Sequence, residues 1–490
     1  MVSASRGTIY LMIAQAMFIL LGFILNAYLA RALSTEEFGI LGLVVTASLI
    51  FVTFISAGLT GATTKFIAEK NGEQSAADVD RKVTKLLLFG SIICGVLFFF
   101  GAEFLAQLVG NSKLVRPFQI AAFLIFTQCF YSQRISILNA FKDFDRQAWA
   151  LVSLAFSKVL ISVVLVVSGF GLIGAIAGQV IAPLVGFLVA GKKQLLDKSK
   201  VSQRDLLNYA WPYALTAGLL LVFQSIDIFL VQALVQNEVT TGLYVASNSL
   251  ARAIVVMLST VAVGIFPSIS SLTSSKSTKT NQYLQTVFLL VLAIGVPLCL
   301  FIYGGANNLL AIFYSEKYIG AAPFLELLAI SSLFMSLVFI AIVVFNAAGE
   351  TKKALRIMTL VVLLQIVLTF SLVRQFDAIG GAYAALVTGI ISALFVVYLL
   401  SHKFGSMFRL KSLGKLLISG IVSFLILLVI QGLLQSKWML LPAMLVACIV
   451  YGVLIALFKL FSPAEVTIIN SVVPKIFQSR IIEFERLFGY

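Results

Sequence analysis

Four ionisable side chains stand inside stretches that are otherwise apolar: Arg134, Lys158, Asp227 and Arg252. A charge surrounded by hydrocarbon is expensive unless it faces protein or water, so each of the four is a candidate functional group. Three are cations. Arginine offers a planar fork that fits phosphate oxygens in pairs, and lysine offers a point charge. The set therefore suits an anionic ligand. Asp227 is the candidate for ion coupling, because a carboxyl in a low-dielectric cavity can exchange protons near neutrality unless a cation such as Arg252 holds it ionised. Each has a plainer alternative. Arg134 stands close enough to one end of its helix to snorkel to lipid headgroups. Lys158 is deeper, where snorkelling is harder. Asp227 and Arg252 could simply bridge adjacent helices.

Uncharged polar residues keep helical spacing around these groups. Asn248, Arg252 and Ser259 share one helix face, and Gln224 stands one turn before Asp227. Gln15, Gly22 and Asn26 align on the first apolar segment, and Thr53, Ser56 and Thr60 on the second. Gln128, Asn248 and Asn26 join the three cations as candidate ligand-binding residues.

The elements that must position these residues are membrane helices. The chain has 490 residues, of which 60% are hydrophobic and 11% charged, with a mean hydropathy of +1.06. Soluble domains carry roughly 25% charged residues. Apolar runs of about 20 residues, enough to cross a bilayer, recur from end to end. Fourteen spanning helices are expected, near 8–30, 39–62, 86–109, 117–140, 149–168, 171–190, 211–235, 243–266, 285–304, 323–347, 357–373, 380–400, 416–434 and 438–459. The fifth and sixth are separated only by Gly169-Phe170-Gly171, but their joint length is too great for one crossing. The first reads as a retained helix, since no small-residue cleavage site follows it.

Charge gives the orientation. With the N-terminus in the cytoplasm, inner segments hold 26 Lys and Arg and outer loops hold 6. That asymmetry predicts cytoplasmic N- and C-termini. It also accounts for the net charge of +15 without a nucleic-acid partner. The outer loops are too short for a catalytic domain, and no GxxxxGK[ST] phosphate-binding loop occurs, so an enzyme and an ATPase are both disfavoured. Cys94, Cys129, Cys299 and Cys448 show no ligand spacing, and His402 is the only histidine, so no metal centre is expected. After the last span, Ser462 and Glu465 form a capping box, and the remaining residues predict an amphipathic helix on the inner membrane surface.

The chain is internally repeated. ILNAFKDFDRQA from Ile137 and VFNAAGETKKAL from Val344 place Asn139 and Asn346, Asp143 and Glu350, and Arg146 and Lys353 at one offset of 207. IGAIAGQ at Ile173 and GGAYAAL at Gly380 match at the same offset. LARALSTEEFGILG and LVQALVQNEVTTGLYV match more loosely, setting Gly39 against Gly242. The matches fall on corresponding helices of two six-helix blocks. Six is even, so both blocks enter from the same side, as parallel repeats. The expected organisation is an N-lobe (1–200), a C-lobe (201–405), and an appendage (406–490) holding helices thirteen and fourteen and the amphipathic helix. A cavity between rocking lobes is the geometry of alternating access.

LARALSTEEFGILGL, AGLTGATTKFIAEKNG and SIDIFLVQALVQNEVTTGLYVASNSLA give the chain its resemblance to a family. It resembles polysaccharide-biosynthesis flippases of the O-antigen repeat-unit type, within the multidrug/oligosaccharidyl-lipid/polysaccharide exporter superfamily. The resemblance implies a non-enzymatic prokaryotic plasma-membrane protein whose cargo is a polyprenyl-pyrophosphate-linked oligosaccharide. Arg134, Lys158 and Arg252 would draw in the pyrophosphate or acidic sugars, with the lipid tail in the bilayer beside the added helices. No cofactor is expected, and protons, Na+ or the membrane potential would drive export. Membrane lipids, and a polymerase or glycosyltransferase, are the expected partners. A peptidoglycan lipid-precursor flippase and a cation-coupled multidrug exporter are the alternatives, the latter disfavoured because that class has twelve helices.

Overall fold

A computed structural model of the protein describes residues 2–69, 72–274, 279–433, 436–462 and 465–466, with side chains described from Tyr10 onward and outside 260–279. All of the regular elements among them are helices: α1 Val2–Ala32, α2 Thr35–Ala68, α3 Ala76–Phe100, α4 Ala102–Leu108, α5 Val115–Ala140, α6 Phe144–Leu165, α7 Gly171–Ala190, α8 Gln203–Phe223, α9 Ile226–Val235, α10 Glu238–Ser274, α11 Lys279–Phe313, α12 Ala322–Ala347, α13 Thr351–Phe376, α14 Ala378–Phe404, α15 Leu410–Leu433 and α16 Leu440–Leu457, with short single turns between some of them. Thirteen continuous stretches are long and apolar enough to cross a membrane.

One of those stretches, Phe144–Ala190, has 47 residues. At 1.5 Å per residue it would be about 70 Å long, twice a bilayer core. It is two helices. The chain reverses at Gly169 (φ 91°) and Gly171 (φ 47°), a backbone region that glycine enters freely. α6 and α7 then pack so closely that a Cβ on Gly178 would lie 2.1 Å from Ser162 Oγ. That makes fourteen crossings among the described residues. The seventh is broken: α8 stops at Phe223, and α9 restarts at Ile226 after Ser225 leaves helical geometry (φ −141°).

The 207-residue repeat is structural. Lys142 (φ 55°) and Gly349 (φ 78°) are equivalent, and both close a helix in left-handed geometry. The Asp143 amide donates to Leu138 O at 2.9 Å, and its counterpart Glu350 donates to Phe345 O at 2.8 Å. The same two acids then gather cations. Asp143 takes Lys193 at 3.2 Å and Arg146 at 3.9 Å, whereas Glu350 takes Lys403 at 2.5 Å and Lys353 at 3.6 Å. Each repeat thus ties the end of its fourth helix to the end of its sixth. Further along, Gly174 packs on Leu165 and Gly380 on Leu372; the leucines are 207 apart and the glycines 206.

By compactness the chain forms two units, Met1–Val245 with Met358–Ile366, and Ala246–Ile357 with Val367–Tyr490. The first unit therefore groups the opening helices of the second repeat with the first repeat, because α2 packs along α8. In the second unit α15 and α16 pack on α11 through Phe301, Leu427, Leu440 and Ala443, and Tyr451 Oη donates to Ala293 O at 2.8 Å. The Ser462–Glu465 capping box is formed. The amphipathic helix expected after it lies outside the described residues.

Candidate functional site

Lys158 belongs to α6, about 21 Å along its axis from Phe144 at 1.5 Å per residue. Successive residues turn by 100°, so Lys158 points about 160° away from both Phe156 and Leu160. Those two side chains are 58% and 51% exposed and form the outward apolar stripe of the helix. One turn before Lys158, Leu154 packs in a cluster with Ala182 of α7 and Phe18 of α1. One turn after it, Ser162 touches α7. The ammonium is therefore carried on the inward face of α6, half-buried, and it forms no ion pair with any described residue.

Arg134 has a different setting. It stands about 9 Å from the end of α5. Its guanidinium lies 3.8 Å from Asp80 Oδ2 of α3 and over the Phe187 ring of α7 at 5.3 Å. Next to it Gln133 Nε2 donates to Asp80 Oδ1 at 3.1 Å, and Thr63 Oγ1 of α2 donates to Gln133 Oε1 at 3.2 Å. Nothing in the local sequence singles out Asp80, Gln133 or Thr63. Asp80 and Gln133 are 53 residues apart, and no local spacing signals that they meet. The network ties α2, α3 and α5 together and neutralises part of the arginine.

Asp227 occupies the first turn of α9, 1% exposed, where helix N-terminal amides favour an anion. Tyr244 Oη of α10 donates to its Oδ2 at 2.7 Å. This tyrosine stands 17 residues on, a partner that helical spacing alone does not name. Asn248 is buried and Arg252 half-buried, one turn apart on α10 in the second unit. Gln128 is half-buried on α5, and Asn26 is exposed on α1. The hydroxyls of Thr53 and Thr60 donate back to the carbonyls of Leu49 and Ser56, so they are satisfied within α2.

α2 touches second-repeat helices near both of its ends. Near Ser34, a Cβ on Gly39 would lie 2.8 Å from Gly242 N, and one on Gly242 would lie 1.9 Å from Thr35 O. The helix start is fixed by a capping box, in which Ser34 N donates to Glu37 and Glu37 N to Ser34. Near Ala68, a Cβ on Gly58 would lie 2.0 Å from Ala210 O, and Lys65 Nζ sits 4.3 Å from the centre of the Tyr209 ring. The linker from α7 to α8 is stitched to the start of α3. Ala77 N donates to Leu196 O, Lys198 N to Gln74 O, and Val201 N to Asp78 Oδ2, all at 2.7–3.0 Å. Lys82 Nζ donates to both Asp78 Oδ2 and Val201 O. A cleft of about 450 Å³ opens beside this linker, between Glu69, Glu73, Lys142 and Leu196.

Fourteen apolar crossings among the described residues, written as two sequence repeats, define a multi-pass membrane protein. Its fold matches that of a lipid II flippase, MurJ, in an inward closed conformation, with a TM-score of 0.75, 17% identity, and 92% of this chain and 99% of that chain covered. It also matches an inward-facing multidrug resistance MATE family transporter of the MOP superfamily, with a TM-score of 0.66, 15% identity, and 79% and 95% covered. The chain belongs to the family described as polysaccharide biosynthesis protein, which it matches over residues 4–273, and it matches the MatE family over 212–371. Relatives include a protein of Escherichia coli (strain K12) named "Putative O-antigen transporter", 23% identical over 82% of this chain and 98% of its own length. An uncharacterized membrane protein of Methanocaldococcus jannaschii is 26% identical over 79% of this chain and 95% of its own. The protein is a multi-pass membrane flippase or transporter.

Proposed function

We propose that the protein moves a polyprenyl-pyrophosphate-linked oligosaccharide from the cytoplasmic to the outer leaflet of a prokaryotic plasma membrane, by alternating access. Both termini are cytoplasmic in this reading, which places the Ser34 end of α2 outside and the Ala68 end inside. The observation that carries it is Lys158, a cation at mid-membrane depth, on the inward face of α6, without an ion-pair partner among the described residues. A charge held there without compensation is maintained for a ligand that supplies the opposite charge. A pyrophosphate linkage does so. Arg134 is the weaker contributor in the first unit because Asp80 already faces it, and Arg252 is the candidate cation of the second unit. Asn26, Gln128 and Asn248 offer hydrogen bonds to sugar hydroxyls. Asp227 stays the coupling residue for H+ or Na+, with Tyr244 as its gatekeeping donor. The family and the name of the E. coli relative support a polysaccharide repeat unit as cargo.

The test is leaflet exchange of a polyprenyl-pyrophosphate oligosaccharide in proteoliposomes. Lys158→Ala is expected to lower the rate at least tenfold, with Lys158→Arg retaining most of it. Wild-type rates in Lys158→Ala would refute the assignment of that residue. Exchange of the peptidoglycan lipid precursor alone, or export of a soluble cationic drug alone, would replace the cargo.

A further inference from the structure

Three segments of the first unit converge at the Ser34 end of α2: the α1–α2 turn, the loop between α4 and α5, and the α9–α10 turn. Lys113 Nζ, from the middle segment, lies 2.5 Å from Glu36 Oε1 and 2.8 Å from Glu238 Oε2. The two carboxylate oxygens share one ammonium, and its distances of 2.5 and 2.8 Å keep them no more than about 5.3 Å apart. Glu36 belongs to the first repeat and Glu238 to the second. The trio therefore spans the same junction as the Gly39–Gly242 contact, one helical turn deeper on α2 and α10. Gly110 (φ 71°) brings the middle loop against Gln236, which is itself left-handed at φ 52°. Arg31, Glu37 and Arg116 are the other charged side chains on these segments, and Glu37 is engaged in capping Ser34.

We propose that this trio is a proton-sensitive latch that holds the two repeats together at the Ser34 end. One ammonium cannot balance the two carboxylates that share it. With both ionised, the closed cluster carries a net negative charge and the carboxylates repel. With one protonated, Lys113 pairs with the remaining charge, and the cluster is neutral. When the end opens, the two glutamates separate and titrate as ordinary carboxyl groups. The closed form thus binds a proton more tightly than the open form. By linkage, acidification above the ordinary carboxyl range near pH 4.3 favours closure, and alkalinisation favours opening. A close glycine contact beneath the trio means that small separations there are read directly as opening.

The latch rests on the transporter reading only for which compartment's pH it senses. Its test is independent of cargo. Spin labels on Ala32→Cys and Val239→Cys, in protein lacking Cys94, Cys129, Cys299 and Cys448 and placed in nanodiscs, report the separation of the two turns. The short-distance population is expected to rise on going from pH 8 to pH 5. Glu238→Gln is expected to hold it high at both pH values, Lys113→Ala to lower it at pH 8, and Lys113→Arg to restore the wild-type profile. A wild-type distance that ignores pH, or a Glu238→Gln variant that follows the wild-type profile, overturns the latch. Loss of transport with the distance profile intact would refute the cargo assignment and leave the latch standing.

Discussion

The two ends of α2 meet the second repeat by different physics. At the Ser34 end the junction is a glycine pair topped by one lysine and two glutamates. At the Ala68 end it is Gly58 against the Ala210 carbonyl, Gly218 against Phe54, and Lys65 over the Tyr209 ring. Charge interactions of solvated groups are weak and are screened by salt over about 10 Å at 0.1 M. Backbone contact and ring packing are neither screened nor titrated. One helix therefore has an end that responds to the solution and an end that responds to shape, which is what a two-sided gate needs if its ends are to open separately.

The largest break in this comparison comes from shape. Gly58→Val would drive a branched side chain into the Ala210 carbonyl, 2.0 Å from the first added carbon. Overpacking of this kind costs about 1–3 kcal/mol or more. Thermal unfolding in detergent is expected to fall by several degrees, and cysteine accessibility at the Ala68 end to rise, with the Ser34 end unchanged. Next comes the buried support of the charged end. Tyr244→Phe leaves Asp227 Oδ2 without its 2.7 Å donor. A buried charged acceptor stripped of such a bond loses about 1.5–3 kcal/mol, measurable by the same unfolding experiment. Smaller still, Lys113→Ala is expected to weaken the Ser34 end only slightly and only at low salt. Lys65→Met should weaken the Ala68 end by about 0.5–1 kcal/mol with little salt dependence. Equal salt dependence for the two lysines would erase the distinction.

The smallest effect sharpens it through pH. Burial pushes the Glu350 carboxyl up, but its hydrogen bond from Lys403 and the charges of Lys403 and Lys353 outweigh burial and hold it below the usual carboxylate range. A depressed carboxyl contributes stability that is present above its ordinary value and lost as pH falls through the depressed one. Acid therefore loosens the corner of the second repeat while it tightens the trio of Glu36, Lys113 and Glu238. Hydrogen exchange near Glu350 is expected to quicken below about pH 4, the opposite sign to the spin-label closure, with Lys403→Met abolishing the change.

Much of this was legible in the sequence because it is periodic. Apolar length marks the fourteen crossings, Gly169 and Gly171 mark a reversal, and one offset of 207 pairs Asp143 with Glu350. Position along the apolar run also gives Lys158 its depth, though its inward face shows only in the exposure of Phe156 and Leu160. Partners were not legible. Arg134 meets Asp80 and Asp227 meets Tyr244 through tertiary approach, which single-helix spacing does not encode. Lys113 lies in a connection and Glu36 and Glu238 in the first turns of α2 and α10, outside the apolar runs, where charge reads as ordinary solvated surface. The break after Phe223 is also silent, since Gln224 and Ser225 are compatible with a continuous helix; only their position beside a buried carboxylate distinguishes them.

The stitched linker has a mechanical meaning. With Val201 fastened to Asp78, only Ser202 separates that anchor from the start of α8 at Gln203. An extended chain spans at most about 3.6 Å per residue, so the leash is roughly 7 Å long. The near end of α8 is pivoted on the first repeat and cannot travel. Any swing of the seventh crossing must be taken up farther along, at the interruption by Gln224 and Ser225. The crossing behaves as a jointed lever, anchored at one tip, with Asp227 and Tyr244 just beyond its elbow.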